Sequence, residues 1–179
     1  RIANSSYNTS CVVPMDQLRI MPPVIPSRNV ICVGKNYKDH VAEVNKAHAA
    51  KNAGDSVNKD ANYVDENTGP KYPVYFTKAP ECIVGDGDYI ESHHKVTKWL
   101  DYEVELAVII GKKGRDIAKE NVEDHIFGYS IGNDITAREV QKRHLQWFKG
   151  KSLDRSCPLG PFIVPSMDLS LAKASNLDL

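Results

Sequence analysis

Short apolar runs, each bounded by glycine, proline or polar residues, recur along the chain and predict strands. Runs of four to eight residues rich in β-branched and aromatic side chains are typical of buried strands. The runs are NVICVG (29–34), PVYFTK (73–78), YEVELAVIIG (102–111), HIFGYSIGND (125–134) and GPFIVP (160–165), and GDGDYIE (85–91) predicts a turn that leads into a strand. The third of these is the strongest prediction, because it alternates and ends at a glycine turn.

Helical patterns are fewer and shorter. Asn36 followed by Asp39 resembles an N-cap with its capping box, and it predicts a helix over about 36–52. A second helix is predicted over TAREVQKRHLQWF (136–148), and a short one precedes the strand that ends near Asp134. Because strands outnumber helices and do not alternate with them, a doubly wound parallel sheet is disfavoured and an α+β, predominantly β fold is expected.

The two ends and the middle of the chain differ from this pattern. Residues 1–28 contain four prolines and predict an extended N-terminal segment. Residues 47–72 are polar and almost without periodicity, which is typical of a loop or a lid insertion. The chain opens on Arg1 and closes without a terminal strand, so we expect it to be a piece of a longer protein whose C-terminal part is missing.

Composition narrows the classes of function. The 179 residues are 41% hydrophobic, and 23 basic side chains balance 23 acidic ones, so nothing indicates nucleic acid as a partner. No run reaches the roughly 18 apolar residues of a membrane span, and the N-terminus lacks the basic-then-apolar layout of a secretory signal. We therefore expect small-molecule partners, no membrane and an intracellular location. Four widely spaced cysteines favour reduced core thiols over a zinc site.

Two glutamates interrupt the strongest strand. Alternate residues of a strand share a face, so Glu103 and Glu105 are predicted to converge while Val104 and Leu106 point the other way. Like charges at this spacing are costly unless a cation neutralises them, and carboxylate oxygens suit Mg²⁺, Mn²⁺ or Ca²⁺. The alternative is a solvated strand surface. Asp101 fits either interpretation.

A third carboxylate lies where a strand meets a helix. If the helix begins near Thr136, then Asp134, Arg138 and Gln141 share one face at i, i+4 and i+7. A carboxylate beside a cation and an amide suits a site that holds a metal and an anionic substrate together. The alternative is a helix-capping aspartate with a solvated arginine.

Three segments carry a resemblance to a known family. LDYEVELAVIIGKKG, HIFGYSIGNDITAREVQ and FKGKSLDRSCPLGPFIVP resemble, in this order, the fumarylacetoacetate hydrolase domain-containing proteins. That family includes acylpyruvate hydrolases, oxaloacetate decarboxylases and oxaloacetate tautomerases. The resemblance implies a mixed β-roll or β-sandwich with short peripheral helices over residues 29–179, in which the 36–52 helix acts as a lid. It also implies a homodimer.

The resemblance assigns roles to individual residues. It implies that Glu103, Glu105 and Asp134 hold one divalent ion, usually Mg²⁺, with Mn²⁺ or Ca²⁺ possible. It implies substrate contacts from Arg138, Gln141, Lys78 and Lys151, the last as a catalytic residue. In VGKNYKDHVAEV it places a catalytic dyad at His40 and Glu43, one helical turn apart. Without the resemblance, this pair would be an ordinary solvated helix pair.

These roles predict a metal-dependent enzyme. The leading interpretation is a hydrolase that cleaves a carbon–carbon bond in an acylpyruvate-type 2-keto acid, with oxaloacetate decarboxylation as a related activity. One alternative is an oxaloacetate keto–enol tautomerase, and another is a non-catalytic domain whose fold is stabilised by a bound metal ion. A metal-dependent phosphohydrolase is disfavoured, because such enzymes usually need two metals and more ligands. The location is expected to be cytoplasmic or mitochondrial.

Overall fold

The fold is known from a computed structural model that describes residues 12–37, 63–65 and 69–174. The strands are β1 (Val30–Gly34), β2 (Tyr63–Asp65), β3 (Gly69–Pro70), β4 (Val74–Lys78), β5 (Ile83–Val84), β6 (Leu100–Asp101), β7 (Val104–Ile110), β8 (Ile126–Asn133), β9 (Thr136–Ala137) and β10 (Cys157–Pro165). The α-helices are α1 (Arg138–Arg143), α2 (Phe148–Lys151) and α3 (Leu171–Ala174). Single 3₁₀ turns lie at Met15–Gln17, Pro80–Cys82, Lys119–Asn121 and Glu123–His125.

A four-stranded sheet with the order β5-β10-β8-β7 forms the centre of the described fold. β7 and β8 pair antiparallel along almost their whole length, with Glu105 opposite Gly132. β10 pairs antiparallel with β8 and parallel with β5. The structure thus confirms a mixed, predominantly β fold with short helices, and the rejection of a doubly wound sheet is also confirmed.

Two smaller strand pairs flank this sheet. β1 and β4 pair antiparallel, and their inner face carries Cys32 and Lys78, both of which are buried. β6 and β9 pair antiparallel, with Asp101 opposite Thr136. The backbone N–H of Arg138 then donates to the carbonyl of Trp99. The short β6–β9 pair therefore fixes Asp101 beside the start of α1.

The interior has an apolar part and a polar part. The apolar cluster contains Ile126, Tyr129 and Ala174, with partly buried side chains packed against it. The polar part lies where β4, β9 and α2 meet, and its buried members are Lys78, Asp134, Thr136, Lys151 and Ser156. Since burying a charge is costly unless it is paired, a specific network has to hold these side chains.

Most predicted strands are confirmed, but two local predictions are wrong. Residues 85–91 form a turn followed by an irregular segment rather than a strand. Asp88 accepts a hydrogen bond from the Gly85 N–H, and Arg155 donates to the Tyr89 carbonyl, so side chains satisfy this backbone in place of a strand ladder. The predicted 136–148 helix starts at Arg138 and is interrupted over 144–147.

The polar insertion contains more structure than its composition indicates. Tyr63–Asp65 and Gly69–Pro70 form a short antiparallel pair inside the 47–72 segment. The predicted lid helix over 36–52 lies almost wholly outside the described residues, so that prediction stays open. Three of the four cysteines, Cys32, Cys82 and Cys157, are described, and they are buried free thiols, as expected.

Two glycines of β8 provide a test of how tightly the central sheet is packed. A Cβ at Gly128 would lie 2.3 Å from the Val164 carbonyl oxygen, whereas a Cβ at Gly132 would meet nothing nearer than 3.9 Å. We expect Gly128→Ala to lower the free energy of unfolding by about 1–3 kcal/mol, because the main chain of β10 has to move.

Gly132→Ala is the matched control on the same strand. We expect it to leave the urea midpoint unchanged or slightly raised, since alanine restricts the unfolded chain. Equal destabilisation by both substitutions would contradict the described packing of β8 against β10.

Candidate metal centre and active site

Three carboxylates converge where β7 and β8 meet. Glu103, Glu105 and Asp134 each offer one oxygen, and these oxygens lie within 4.8 Å of one another. Glu105 belongs to β7, Glu103 lies just before that strand, and Asp134 directly follows β8. The predicted convergence of the three acids is confirmed.

Backbone hydrogen bonds fix Glu103 and Asp134 against each other. The Asp134 N–H donates to the Glu103 carbonyl at 2.7 Å, and the Glu103 N–H donates to Asn133 Oδ1 at 3.1 Å. The first of these bonds continues the β7–β8 ladder past its last paired residues, and the second ties the main chain of Glu103 to a side chain of β8. The two carboxylates are therefore placed by the sheet register and not by a flexible loop.

Two lysines reach the carboxylates from other parts of the chain. Lys151 Nζ lies 2.6 Å from Glu103 Oε2 and 2.5 Å from Asp134 Oδ2. Lys78 Nζ lies 2.7 Å from Asp134 Oδ1. Both lysine side chains are almost fully buried, at 2% and 1% exposure. The charge pairs are thus largely removed from water.

The main chain around Lys151 is held closely. Lys78 Nζ donates to the carbonyl of Lys151 and, at 3.2 Å, to the carbonyl of Ile135. A Cβ at Gly150 would lie 2.7 Å from the Gln141 backbone nitrogen, so a glycine is required where α2 crosses α1. This close crossing brings Lys151 and Gln141 to the same site.

Arg138 is a further cation of the cluster, at the first residue of α1. Its Nη2 lies 2.5 Å from Glu103 Oε1, and its Nε donates to Asp101 Oδ2 at 2.8 Å. Its Nη1 donates to Gln141 Oε1 at 3.2 Å. Arg138 and Gln141 share one helix face, as the spacing predicts.

The electrostatic environments of the two glutamates differ. Burial alone would raise the pKa of Glu103, but the charges and hydrogen bonds of Lys151 and Arg138 outweigh it and lower the pKa. Burial, together with the negative charge of Asp134, raises the pKa of Glu105 to about 7. Within the described part of the chain, no ion pair reaches Glu105. Of the three carboxylates in the cluster, Glu105 is therefore the one that a bound cation would stabilise most.

The donor set fits a hard divalent ion. Three carboxylates and no sulfur or imidazole donor make up the cluster of described residues, which is the ligand chemistry that Mg²⁺, Mn²⁺ and Ca²⁺ prefer. Metal–oxygen bonds of about 2.1–2.5 Å allow ligand oxygens of one ion to be up to about 4–5 Å apart. The observed spacing of the three oxygens meets that limit.

The structure places seven of the nine predicted site residues together. They are Lys78, Glu103, Glu105, Asp134, Arg138, Gln141 and Lys151. His40 and Glu43 lie outside the described residues, so their role as a dyad stays a prediction. Lys78 is predicted to contact substrate. In the structure its ammonium donates to Asp134 Oδ1 and to the backbone carbonyls of Ile135 and Lys151.

Two residues near the site were not assigned a role from the sequence. Asp101, whose position fitted either interpretation, holds the guanidinium of Arg138. The Tyr37 hydroxyl accepts a hydrogen bond from the Leu106 N–H at 3.1 Å, which ties the segment after β1 to the strand that carries Glu105. No local pattern indicates either contact, because 37 and 69 residues separate the partners.

Comparison with known proteins identifies the family to which the chain belongs. The family model described as the fumarylacetoacetate hydrolase C-terminal domain matches residues 29–179. This match covers most of the chain and includes every residue of the carboxylate cluster. The chain belongs to the fumarylacetoacetate hydrolase family.

Individual relatives agree with this membership. The chain is 46% identical over 156 residues to the oxaloacetate tautomerase YisK of Bacillus subtilis, a match that covers 87% of this chain and 46% of that protein. It resembles the solved fumarylacetoacetate hydrolase of Exiguobacterium antarcticum with a TM-score of 0.65 and 45% identity, over 92% of this chain and 49% of that one.

A solved relative contains a metal and a keto acid. Fumarylpyruvate hydrolase of Pseudomonas aeruginosa, in complex with Mn²⁺ and pyruvate, matches with a TM-score of 0.56 and 32% identity over 82% of this chain and 57% of its own. The chain spans about half the length of the curated relatives it matches. Among the described residues, no helix is long and apolar enough to cross a membrane.

The raised pKa of Glu105 generates a prediction about stability and pH. In the unfolded chain this group titrates near its ordinary value of 4.5, and in the folded protein near 7. Its contribution to stability is therefore fully present below pH 4.5 and is lost as the pH rises through 7. We expect Glu105→Gln to remove this loss, so that with chelator present the variant becomes more stable relative to wild type between pH 4.5 and 7.5.

Thermal unfolding across this pH range checks the expectation. Glu123→Gln, at an exposed position far from the cluster, serves as the control and should track wild type. Parallel pH profiles for Glu105→Gln and wild type would contradict a raised pKa at Glu105.

Proposed function

We propose that this site promotes keto–enol exchange of a short 2-keto acid of the oxaloacetate type, assisted by a divalent metal ion. The observation that carries the proposal is the convergence of three carboxylates with the cationic groups of Lys151 and Arg138. The 46% identity to an oxaloacetate tautomerase supports this reaction over others. Because the chain spans about half of that relative, the activity of the whole protein is part of the proposal.

Mg²⁺ is the ion we propose for Glu103, Glu105 and Asp134, with Mn²⁺ or Ca²⁺ as substitutes. When bound there, it would act as a Lewis acid toward the oxygens of a keto acid. The three protein ligands come from rigid positions at the β7–β8 junction, so they select a site of defined shape. Their hard oxygen donors favour such ions over soft metals.

Arg138, Gln141 and Lys151 bind and orient the substrate in this proposal. Gln141 Oε1 accepts a hydrogen bond from Arg138, which leaves its amide nitrogen as a donor for a substrate carboxylate. The Lys151 ammonium stabilises negative charge as it develops on the keto oxygen. Lys78 acts through Asp134, whose carboxylate it holds in place.

His40 and Glu43 move the proton in this proposal. Keto–enol exchange requires a group that removes a proton from the carbon next to the keto group while the keto oxygen gains one, and that carries out the reverse transfer for the return to the keto form. An imidazole beside a carboxylate is suited to this transfer near neutral pH. The contact of Tyr37 with Leu106 supports the assignment, because Tyr37 precedes His40 by three residues and lies against the strand of Glu105.

Hydrolysis of a carbon–carbon bond in an acylpyruvate is the second candidate. The 32% identical fumarylpyruvate hydrolase with bound Mn²⁺ and pyruvate favours it specifically. In that reaction the same dyad takes a proton from water, which adds to the distal carbonyl. The carbon–carbon bond then breaks, Lys151 stabilises the enolate that leaves, and the proton held by the dyad converts this enolate to pyruvate.

The expected homodimer is a separate part of the proposal. Light scattering of the purified protein tests it.

Proton NMR of the purified protein with Mg²⁺ tests the reaction. Given oxaloacetate, we expect accelerated exchange between the enol and keto signals without formation of pyruvate. Given an acylpyruvate, formation of pyruvate and a carboxylic acid would establish the hydrolase instead. Metal binding without either reaction would overturn both candidates and favour a purely structural metal site.

Variants of the carboxylates test the assignment of the site. We expect Glu103→Gln and Asp134→Asn each to lower kcat/KM by at least about 100-fold, because each removes a charge that organises the reacting centre. Asp124→Asn, an exposed position outside the cluster, is the control and should retain wild-type kinetics. Wild-type activity in both cluster variants would place the chemistry elsewhere.

A further inference from the structure

Every carboxylate oxygen of Glu103 and Asp134 lies within 2.7 Å of a cationic nitrogen of the chain. Arg138 Nη2 forms an ion pair with Glu103 Oε1, and Lys78 donates to Asp134 Oδ1. Lys151 donates to the two remaining oxygens, Glu103 Oε2 and Asp134 Oδ2. A divalent ion bound by these two carboxylates would require at least one oxygen of each, so it has to compete with a cation already paired there.

The three cations differ in what else holds them. Arg138 also donates to Asp101 and to Gln141. Lys78 also donates to two backbone carbonyls, those of Ile135 and Lys151. For Lys151, the acceptors among the described residues are the two carboxylates themselves, and its ammonium lies 4.8 Å from the centre of the Phe76 ring. Displacing Lys151 from the two carboxylates would therefore break fewer other contacts than displacing Arg138 or Lys78.

Lys151 is also the cation in the bridging position. It spans Glu103 and Asp134, the two carboxylates that the β7–β8 junction brings together, whereas Arg138 and Lys78 each hold an outer oxygen of one carboxylate. A second positive charge between the same two oxygens would repel the ammonium at close range in a site with little water. The ring of Phe76 offers the displaced ammonium a cation–π contact nearby.

We propose that Lys151 and the divalent ion exclude each other from Glu103 and Asp134, so that metal binding releases the Lys151 ammonium to the anionic substrate. This inference rests on the proposed function for the presence of the ion. Arg138 and Lys78 keep their places and continue to orient the two carboxylates. Metal and substrate then bind cooperatively, because the ion frees the ammonium that pairs with the keto oxygen of the substrate.

Metal affinity of lysine variants tests the exchange. By calorimetric titration with Mn²⁺, we expect Lys151→Met to bind the ion at least about 10-fold more tightly than wild type, because no ammonium has to be displaced. Lys149→Met, exposed on the same short helix, should match wild type. Lys78→Met removes an equally close charge that the exchange leaves in place, so no comparable gain is expected from it.

Chemical labelling of the wild-type protein tests the same step without a substitution. Competitive acylation followed by mass spectrometry measures the reactivity of each lysine amine. We expect Mn²⁺ to raise the labelling of Lys151 severalfold, to leave Lys149 unchanged and to leave Lys78 protected. This measurement keeps the inference testable if Lys151→Met fails to fold, which circular dichroism would reveal.

The outcomes separate this inference from the function on which it rests. Equal or weaker Mn²⁺ binding by folded Lys151→Met, or labelling of Lys151 that does not rise with Mn²⁺, would overturn the exchange while leaving the metal site intact. A comparable gain in Lys78→Met would also overturn it, because simple charge removal would then suffice. If wild type bound no Mn²⁺ at all, the metal site and the inference would both fall.

Discussion

The pairing of buried charges around Asp134 is the interaction on which the rest of the site depends. Four carboxylates, Asp101, Glu103, Glu105 and Asp134, face three cations from distant parts of the chain, and one negative charge is left without a match. Burial of such groups is tolerated only when each finds a partner. Glu105 has no such partner among the described residues, and its burial beside Asp134 raises its pKa to about 7.

The architecture serves to bring these partners together. The β7–β8 register fixes the carboxylates, the β6–β9 pair fixes Asp101 beside α1, and the end of β4 delivers Lys78. The helices α1 and α2, which follow β9, are short and carry Arg138, Gln141 and Lys151. Carboxylates held at strand ends in this way are placed before any ligand binds, which lowers the entropic cost of ordering the site.

Local sequence patterns predict a large part of this arrangement, and the reasons for the failures are physical. The two-residue period of strands is enough to bring Glu103 and Glu105 to one face, and the helical period joins Arg138 to Gln141. The burial of Lys78 and the partner of Asp101 depend on contacts across tens of residues, which no local period encodes. The strand prediction at 85–91 is wrong because the side chains of Asp88 and Arg155 form hydrogen bonds with this backbone. The local sequence pattern does not indicate these bonds.

The close crossing at Gly150 has a consequence for how this chain can change over time. Because a side chain there would strike the backbone of Gln141, mutation is restricted at that one position. The connection between the helices is under no such restriction, since His144, Leu145 and Gln146 all face solvent. Substitutions in the connection can therefore accumulate without disturbing the relative placement of the two helices.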